Sequence, residues 1–284
     1  MILLDKELIQ SFSGKTVVIK YGGNAMLNEN LKKSVIEDIC HLADMHIKPI
    51  IVHGGGPFIN KLLEMAKVQS EFVDGHRKTT VEAMMYIEMA LKGQVNGELV
   101  RLIHGAGKKA VGLSGKDGKM VSAVKRMHKK IVDGKEIIVD LHQVGDVDKI
   151  DTSILQWLIE NTYIPVIATI AWGPDNLDYN VNADMFAGHL AAALHAEAYI
   201  VMTDVNGLMR DVNDPSSLIH EISAADAANF TSLNIKGGML PKMDSCIIAL
   251  NKGVKTIRII NGTVKHAILT ELFTHERSGT IITK

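Results

Sequence analysis

The stretch V-V-I-K-Y-G-G, residues 17–23, decides the fold of this 284-residue chain, because a short β-branched run ends there in a polar residue and then in glycines. The same pattern recurs at residues 50–56, 199–207 and 256–262. Runs of this kind are typical of buried strands, each followed by a glycine turn at its carboxyl end. Between the first two runs, residues 29–46 carry apolar side chains at helical spacing, which predicts one β-α-β unit.

A longer helix is predicted over residues 79–104, where Thr79 and Glu82 fit a capping box. One face of this helix is apolar and consists of Met84, Ile87, Leu91, Val95 and Leu99. Further helices are expected near residues 183–196 and 239–252.

The alternation of strands and helices predicts an α/β fold with an open, mainly parallel sheet that carries helices on both faces. Ligands of such sheets bind beyond the carboxyl ends of the strands, which is where these glycines fall. Residues 115–148 are rich in Lys, Gly and Asp, and we expect hairpins beside the sheet there. A boundary near residues 173–176, after a strand at 164–170, would divide the chain into unequal halves.

The composition is that of an ordinary globular protein, with 46% hydrophobic residues and a formal net charge of -1. It excludes a disordered chain and argues against a general nucleic-acid binder. The longest apolar stretch, residues 164–172, is about half of the ~20 residues that a membrane span requires. Charged residues at positions 5–7 argue against a secretory signal, and two cysteines suit a reducing cytoplasm.

Three familiar glycine motifs do not fit this chain. Gly14-Lys15-Thr16 ends like a Walker A loop, but the loop's first glycine is missing and the segment precedes a strand. The glycines within residues 105–110 follow a helix, the reverse of a dinucleotide-binding turn. H-G-G-G at residues 53–56 has no G-x-S-x-G nucleophile to serve. The remaining use of these turns is to offer backbone N–H groups to a phosphate or a carboxylate.

Two lysines are candidates for contact with such an anion. Lys20 ends the first strand beside two glycines, although an isolated lysine there could simply extend to solvent. Lys242 lies in the first turn of a helix that follows Gly237 and Gly238, where the helix dipole disfavours a cation. An anion near Lys242 would resolve that conflict.

Other polar residues cluster before predicted helices. Asn180, Asn182 and Asp184 open an alanine-rich helix, and either asparagine could be a plain N-cap. Arg77 precedes the capping box and could grip a carboxylate with both arms of its guanidinium group, or could be a loop arginine with no partner.

Seven segments together resemble the amino-acid kinase family, and N-x-N-A-D with G-H-R and G-G-M-x-P-K point to its acetylglutamate branch. They are V-V-I-K-Y-G-G, I-I-V-H-G-G-G-P, G-H-R, S-G-K-D-G, N-V-N-A-D, M-T-D-V-N-G and G-G-M-L-P-K. The resemblance implies an αβα sandwich, with residues 1–173 binding the acylated amino acid and forming a dimer, and residues 174–284 binding ATP. It also implies ATP-dependent phosphorylation of the γ-carboxylate of N-acetyl-L-glutamate, the second step of arginine biosynthesis.

The resemblance assigns roles to single residues. Lys20 and Lys242 would flank the transferred phosphoryl group, and Asp184 would hold both lysines in place. The substrate residues implied are Gly55, Gly56, Arg77 and Asn180. The nucleotide residues implied are Gly22, Gly23, Asp204, Gly207, Gly237 and Gly238. Mg²⁺ would arrive with ATP, held mainly by its phosphates and water and not by protein ligands.

Two other functions stay open at this point. A sister kinase for a related acid, of the aminoadipate type, would share both lysines and differ around Arg77 and Asn180. A non-catalytic sensor on the same fold would bind the ligands without turnover. In either case we expect a cytoplasmic homo-oligomer, a dimer or a hexameric trimer of dimers.

Feedback by arginine occurs in some members of this family, at a site between an extra N-terminal helix and the C-terminal segment. Residues 3–12 are long enough for a short helix with one apolar face, which permits the hexamer. Sensitive relatives tend to carry a tyrosine where this chain has Leu8 and a glycine where it has Arg277, so we expect weak or absent inhibition. An alignment shifted by a residue or two would let Gly279 replace the missing glycine.

Overall fold

Fourteen strands lie in the computed structural model, which describes residues 3–132, 135–211, 214–235 and 238–284. They are β1 (Thr16–Tyr21), β2 (Lys48–His53), β3 (Phe72–Val73), β4 (His76–Arg77), β5 (Ala110–Ser114), β6 (Val121–Val132), β7 (Lys135–Ile150), β8 (Ile164–Ala168), β9 (Ile170–Trp172), β10 (Asp178–Val181), β11 (Ala198–Thr203), β12 (Glu221–Ser223), β13 (Thr256–Asn261) and β14 (Thr280–Thr283).

Eight of these strands form the central sheet, in the order β12-β14-β13-β11-β1-β2-β8-β5. Every neighbouring pair is parallel except β13 and β14. The four runs from which the sheet was predicted are β13, β11, β1 and β2, and they are its four contiguous central strands. The predicted open, mainly parallel sheet is therefore confirmed.

Ten α-helices accompany the strands in the described ranges. They are α1 (Lys6–Phe12), α2 (Glu29–Asp44), α3 (Gly56–Met65), α4 (Val81–Glu88), α5 (Gly97–Gly105), α6 (Ser153–Glu160), α7 (Ala183–Ala193), α8 (Ala224–Asn234), α9 (Met239–Asn251) and α10 (Ala267–Phe273). None of the helices in this part of the chain is both long and apolar enough to cross a membrane.

The sheet is the middle layer of an αβα sandwich, because successive strand residues alternate between two hydrophobic cores. Val18 packs with α6, α7, α8 and α9 on one face, whereas Val17 and Ile19 pack with α1, α2, α5 and α10 on the other. Leu8 on α1 is packed against the second of these cores, as expected for an N-terminal helix with one apolar face. The predicted layers are thus confirmed.

The long helix predicted over residues 79–104 forms, but its N-cap lies one residue later than predicted and its α-helical geometry is interrupted. Its cap is Thr80, whose hydroxyl accepts a hydrogen bond from Ala83 N at 3.1 Å, whereas the Thr79 hydroxyl donates to Arg77 O. The capping box on Thr79 was therefore wrong. A π-helical stretch, Met89–Asn96, joins α4 to α5. The five predicted apolar positions are all buried.

The hairpins expected at residues 115–148 are present as β6 and β7, which pair antiparallel. With β9 and β10 they close a small four-stranded barrel beside the sheet. The strand predicted at 164–170 is divided, since β8 belongs to the sheet and β9 to the barrel. Both proposed halves contribute to both structures, so the division at residue 173 remains a prediction.

Candidate active site

Three charged side chains meet at the carboxyl end of the central strands. Lys20 Nζ, from β1, lies 3.1 Å from Oδ1 of Asp184, which stands in the first turn of α7. Lys242 Nζ, from the first turn of α9, donates to Oδ2 of the same carboxylate at 2.9 Å. The structure therefore brings together the three residues for which catalytic roles were predicted.

Burial makes this ion triad electrostatically unusual, because Lys20 and Asp184 are only 7% and 5% exposed. Burial lowers the pKa of Lys20 below its ordinary value, although Asp184 partly offsets the effect. Burial alone would raise the pKa of Asp184, but the charges of Lys20 and Lys242 outweigh it and lower that pKa. Asp184 is thus held ionised, and it is the anion expected beside Lys242.

The first turn of α7 is set by Asn182, whose side-chain oxygen accepts hydrogen bonds from Asp184 N at 3.0 Å and Met185 N at 3.1 Å. Asn182 is therefore the N-cap. Asn180 does not cap the helix. It lies in β10, where its side-chain amide donates a hydrogen bond to the Thr79 hydroxyl at 3.2 Å.

Close packing of α7 against α9 fixes the distance between Asp184 and Lys242. A Cβ on Gly188 would lie 2.6 Å from the backbone oxygen of Ser245, so only glycine permits this approach. The Ser245 hydroxyl donates to Lys242 O at 2.6 Å, and the Tyr199 hydroxyl donates to Asp184 O at 3.1 Å. Sequence reasoning missed these three residues, because a small helical residue and buried hydroxyls carry no motif.

A cavity of about 200 Å³ lies at the start of α7, next to the residues that precede Asp184. Its lining includes all four residues predicted to bind the acid: Gly55, Gly56, Arg77 and Asn180. Ala183, the residue before Asp184, also lines it, and a Cβ on Gly54 would lie 3.4 Å from the Ala183 Cβ. This cavity, called the acid cavity below, therefore reaches the start of α7.

Arg77 brings a positive charge to the acid cavity, and no carboxylate among the residues that the structure describes pairs with it. Its guanidinium group donates to Ser70 Oγ and Asn60 Oδ1, both neutral, and lies 4.5 Å from the centre of the Phe72 ring. Burial lowers the pKa of Arg77 from its ordinary value. The alternative of a loop arginine without a partner is wrong, since Arg77 lies in β4 and is held on three sides.

A second cavity, of about 790 Å³, reaches the triad at Lys242, and its lining also includes Gly207 and Gly238. Gly207 has a φ of 154° and packs so closely against Thr280 that a Cβ would lie 2.6 Å from its hydroxyl. Gly237 lies outside the described residues. The size suits a nucleotide, and this second cavity is called the nucleotide cavity below.

Gly22, Gly23 and Asp204 do not line the nucleotide cavity and instead form the turn that follows β1. Asp204 accepts a hydrogen bond from Asn24 N at 3.1 Å. A Cβ on Gly23, which has a φ of 73°, would lie 2.9 Å from the Asp204 carboxylate, and one on Gly22 would lie 3.3 Å from Lys20 Nζ. Asp204 therefore shapes the glycine turn beside Lys20, and its predicted contact with the nucleotide stays a prediction.

A divalent cation would find few free ligands here. Within the described ranges, no three His, Cys, Asp or Glu side chains gather in a way that could hold a metal ion. Both oxygens of Asp184 face ammonium groups. The pairing of both Asp184 oxygens with lysines fits a metal ion that arrives with the nucleotide, and that arrangement stays a prediction.

The model of the amino acid kinase family matches residues 15–261, and the chain belongs to that family. Among solved structures, N-acetylglutamate synthase from Neisseria gonorrhoeae superposes with a TM-score of 0.82 at 22% identity, covering 98% of this chain and 61% of that one. Carbamate kinase from Giardia lamblia gives 0.68 at 17% identity, covering 96% and 99%. At these identities the two likenesses show the fold alone.

Two relatives of higher sequence identity show to which branch of the family the chain belongs. The acetylglutamate kinase of Methanocaldococcus jannaschii is 45% identical over 97% of this chain and 93% of its own length. That of Clostridium kluyveri is 48% identical, with 96% and 94% covered. Within the family, the chain belongs with the acetylglutamate kinases, which confirms the branch indicated by the motifs.

Proposed function

We propose that this protein transfers the γ-phosphoryl group of ATP to the γ-carboxylate of N-acetyl-L-glutamate, giving N-acetyl-L-glutamyl 5-phosphate and ADP. The reaction is the second step of arginine biosynthesis through acetylated intermediates. The observation that carries the proposal is the buried Lys20–Asp184–Lys242 triad, of which Lys242 lines a cavity of nucleotide size, while the residue before Asp184 lines a smaller cavity that holds Arg77.

Phosphoryl transfer asks a protein mainly for positioning and charge neutralisation. The acceptor is already a carboxylate, so no general base is needed, and Asp184 has the different task of holding two ammonium groups. In this proposal Lys20 and Lys242 approach the transferred group from the two sides of Asp184. Their charge matters most when negative charge spreads over the transition state.

The acid substrate is held by groups of complementary chemistry in the acid cavity. Arg77 pairs with the α-carboxylate, with Asn180 beside it, and the backbone N–H groups of Gly55 and Gly56 receive the reacting carboxylate. The neutral partners of Arg77 support this, because they orient its guanidinium group without cancelling its charge.

ATP occupies the nucleotide cavity in this proposal, with its phosphates directed at the triad. Gly207, Gly237 and Gly238 offer backbone to the nucleotide, and Gly22, Gly23 and Asp204 shape the turn beneath the phosphates. Mg²⁺ neutralises phosphate charge while bound to ATP and water. The commitment of both Asp184 oxygens to lysines supports this arrangement.

The test is ADP formation by the purified protein with ATP, Mg²⁺ and a panel of acids. We expect turnover that depends on N-acetyl-L-glutamate and is much slower with acetylated aminoadipate or free glutamate. Preference for an aminoadipate derivative would instead identify a sister kinase. Binding of both ligands without ADP release would identify a sensor.

The same proposal includes an assembly and a location. We propose that residues 1–173 carry the acid site and a dimer interface, that residues 174–284 carry the ATP site, and that the chain forms a homodimer or a hexameric trimer of dimers in the cytoplasm. Two buried cysteines without a disulfide support a reducing compartment. Light scattering of the purified protein measures the assembly.

A further inference from the structure

His53 is a fully buried histidine directly before the glycines of the acid cavity, and the reaction as proposed gives it no task. Its Nδ1 lies 2.9 Å from Gly54 O, and its Nε2 lies 2.9 Å from Nδ2 of Asn96. A carbonyl oxygen only accepts and an amide nitrogen only donates, so Nδ1 carries the proton and Nε2 does not. Burial agrees with this neutral form, because it lowers the pKa of His53 to about 4.

The bond to Gly54 O sets the direction of a neighbouring donor. The carbonyl and the N–H of a trans peptide point in opposite directions. Because His53 draws the Gly54 carbonyl inward, the N–H of Gly55, which belongs to the same peptide, is turned outward. Gly54, Gly55 and Gly56 all line the acid cavity, so the outward side is the cavity side.

Asn96 holds the imidazole in place from the far side. Its amide also donates to Val166 O in the central sheet at 2.9 Å. A Cβ on Gly112 would lie 2.0 Å from Asn96 Oδ1, so the amide lies directly against β5 in space that any side chain at position 112 would fill. Asn96 is itself buried and lies within 3.3 Å of Leu113 O in β5 as well, so it connects His53 to two strands of the sheet.

The π-helical stretch explains how one helix can support this whole arrangement. Leu91 packs under the glycine turn, where a Cβ on Gly55 would lie 2.7 Å from it. In an α-helix, Leu91 and Asn96 would point about 140° apart, since each residue turns about 100°. The π-helix has i→i+5 hydrogen bonds and brings residues five apart onto one face. Both side chains therefore reach the same turn.

We infer that His53 and Asn96 are positioning residues of the kinase reaction, which hold the Gly54–Gly55 peptide so that the Gly55 N–H faces the acceptor carboxylate in the acid cavity. The inference rests on the proposed function, because it assumes that the acid cavity receives N-acetyl-L-glutamate. Neither residue lines the acid cavity, and both act through the glycine turn.

Two nearly isosteric variants separate this role from mere packing. His53→Leu removes the donor to Gly54 O, whereas His53→Asn keeps an amide N–H near the position of Nδ1. We expect His53→Leu to raise KM for N-acetyl-L-glutamate and lower kcat, together by tenfold or more in kcat/KM, with KM for ATP changed less than twofold. His53→Asn should recover most of that loss.

A matched control is His41→Leu, because His41 also contacts a main-chain carbonyl, Glu37 O at 2.7 Å, but lies exposed on α2. It should leave all constants unchanged. Equal losses in the Leu and Asn variants, or equal effects on both substrates, would overturn the inference. Wild-type turnover with N-acetyl-L-glutamate tests the proposed function separately.

A second measurement is made on the wild-type protein and does not depend on activity. Nitrogen-15 NMR of the wild-type protein reports which imidazole nitrogen of His53 carries the proton, with the His53→Asn spectrum or selective labelling for assignment. We expect a proton on Nδ1 alone from pH 6 to 8. A proton on Nε2 would overturn the inference, because Nδ1 could not then donate to Gly54 O.

Discussion

Lys20 is the central residue of the proposed reaction, because it carries a charge at a buried position that water barely reaches. A buried charge of this kind is tolerated only when it is paired, and Asp184 supplies the pairing for two lysines at once. We expect Lys20→Ala and Lys242→Ala each to lower kcat by on the order of 10²-fold to 10³-fold, with smaller effects on KM. Steady-state kinetics with both substrates measures this.

The control for these variants is Lys15→Ala, since Lys15 is exposed and its contact with Glu197 is long, at 3.9 Å. Asp184→Asn completes the set, because it leaves two ammonium groups without their shared partner. We expect it to be slow and strongly non-additive with each lysine change. Additive losses, or a lysine variant with nearly wild-type kcat, would contradict the triad mechanism.

Arg77 allows a prediction about one substrate alone. A lysine would keep the charge but could not contact Ser70, Asn60 and a carboxylate at the same time. We expect Arg77→Lys to raise KM for N-acetyl-L-glutamate about tenfold or more while KM for ATP stays within twofold. The neighbouring swap Lys78→Arg, on a half-exposed side chain paired with Glu71, should change neither. Equal losses for both substrates would separate Arg77 from the acid site.

At this scale the sequence predicted the charged residues and missed those that orient them. Lys20, Asp184 and Arg77 lie in motifs whose order along the chain is informative. Asn60 and Ser70 are separated from Arg77 by 17 and 7 positions and belong to no pattern. Their contacts exist only because α3 and β4 fold against each other.

Helices α7 and α9 are the elements that set the width of the site. Gly188 lies one turn from Asp184, and Ser245 lies one turn from Lys242, at the point where the two helices touch. A methyl group on Gly188 must push the helices apart and pull the two charges with them. We expect Gly188→Ala to destabilise the protein by about 1–3 kcal/mol and to lower kcat.

The comparison for that variant is Gly97→Ala, because a Cβ on Gly97 meets nothing within 4 Å and the backbone there is helical. It should be neutral or stabilise by up to about 1 kcal/mol. Denaturant unfolding and kinetics on both variants provide the readout. If Gly188→Ala behaved like Gly97→Ala, the close contact of α7 and α9 would not govern the site.

Element types were predictable where a single period dominates, as in the central strands and in α2. The π-helical stretch was not predictable, because its apolar positions also fit an α-helix. What selects the wider turn is tertiary: the packing of Leu91 under Gly55 and the reach of Asn96 to the sheet. The predicted N-cap was one residue too early for a similar reason. The Thr79 hydroxyl is buried and donates a hydrogen bond to Arg77 O, so it does not cap the helix.

For the whole molecule, the expectation of weak arginine inhibition stays a prediction, and the structure changes its argument. Arg277 is paired with Glu221, so its charge is partly neutralised. The stronger obstacle is Glu271, the glutamate of the C-terminal segment six residues before Arg277, because it already contacts Arg258 at 3.3 Å and accepts a hydrogen bond from Gly279 N at 3.0 Å. An incoming guanidinium group would have to displace those partners.

Titration of arginine against the purified kinase, at saturating and at low N-acetyl-L-glutamate, measures the effect. We expect little change in rate up to millimolar arginine, whichever oligomer forms. Sigmoidal inhibition in the sub-millimolar range would contradict this and would favour the alignment in which Gly279 serves the site.

The central sheet contains strands from both sides of residue 173, and this has a consequence for cutting the chain there. Strand β1 is paired with β2 on one side and with β11 on the other. A cut between residues 173 and 174 would place β1 and β11 in separate fragments, and each of these strands would then have one unpaired edge. Open edges of this kind recruit other chains and precipitate. We expect fragments 1–173 and 174–284 to be insoluble when expressed apart and to regain solubility and kinase activity when expressed together. The two halves would then behave as the pieces of a split reporter, and activity would record their encounter.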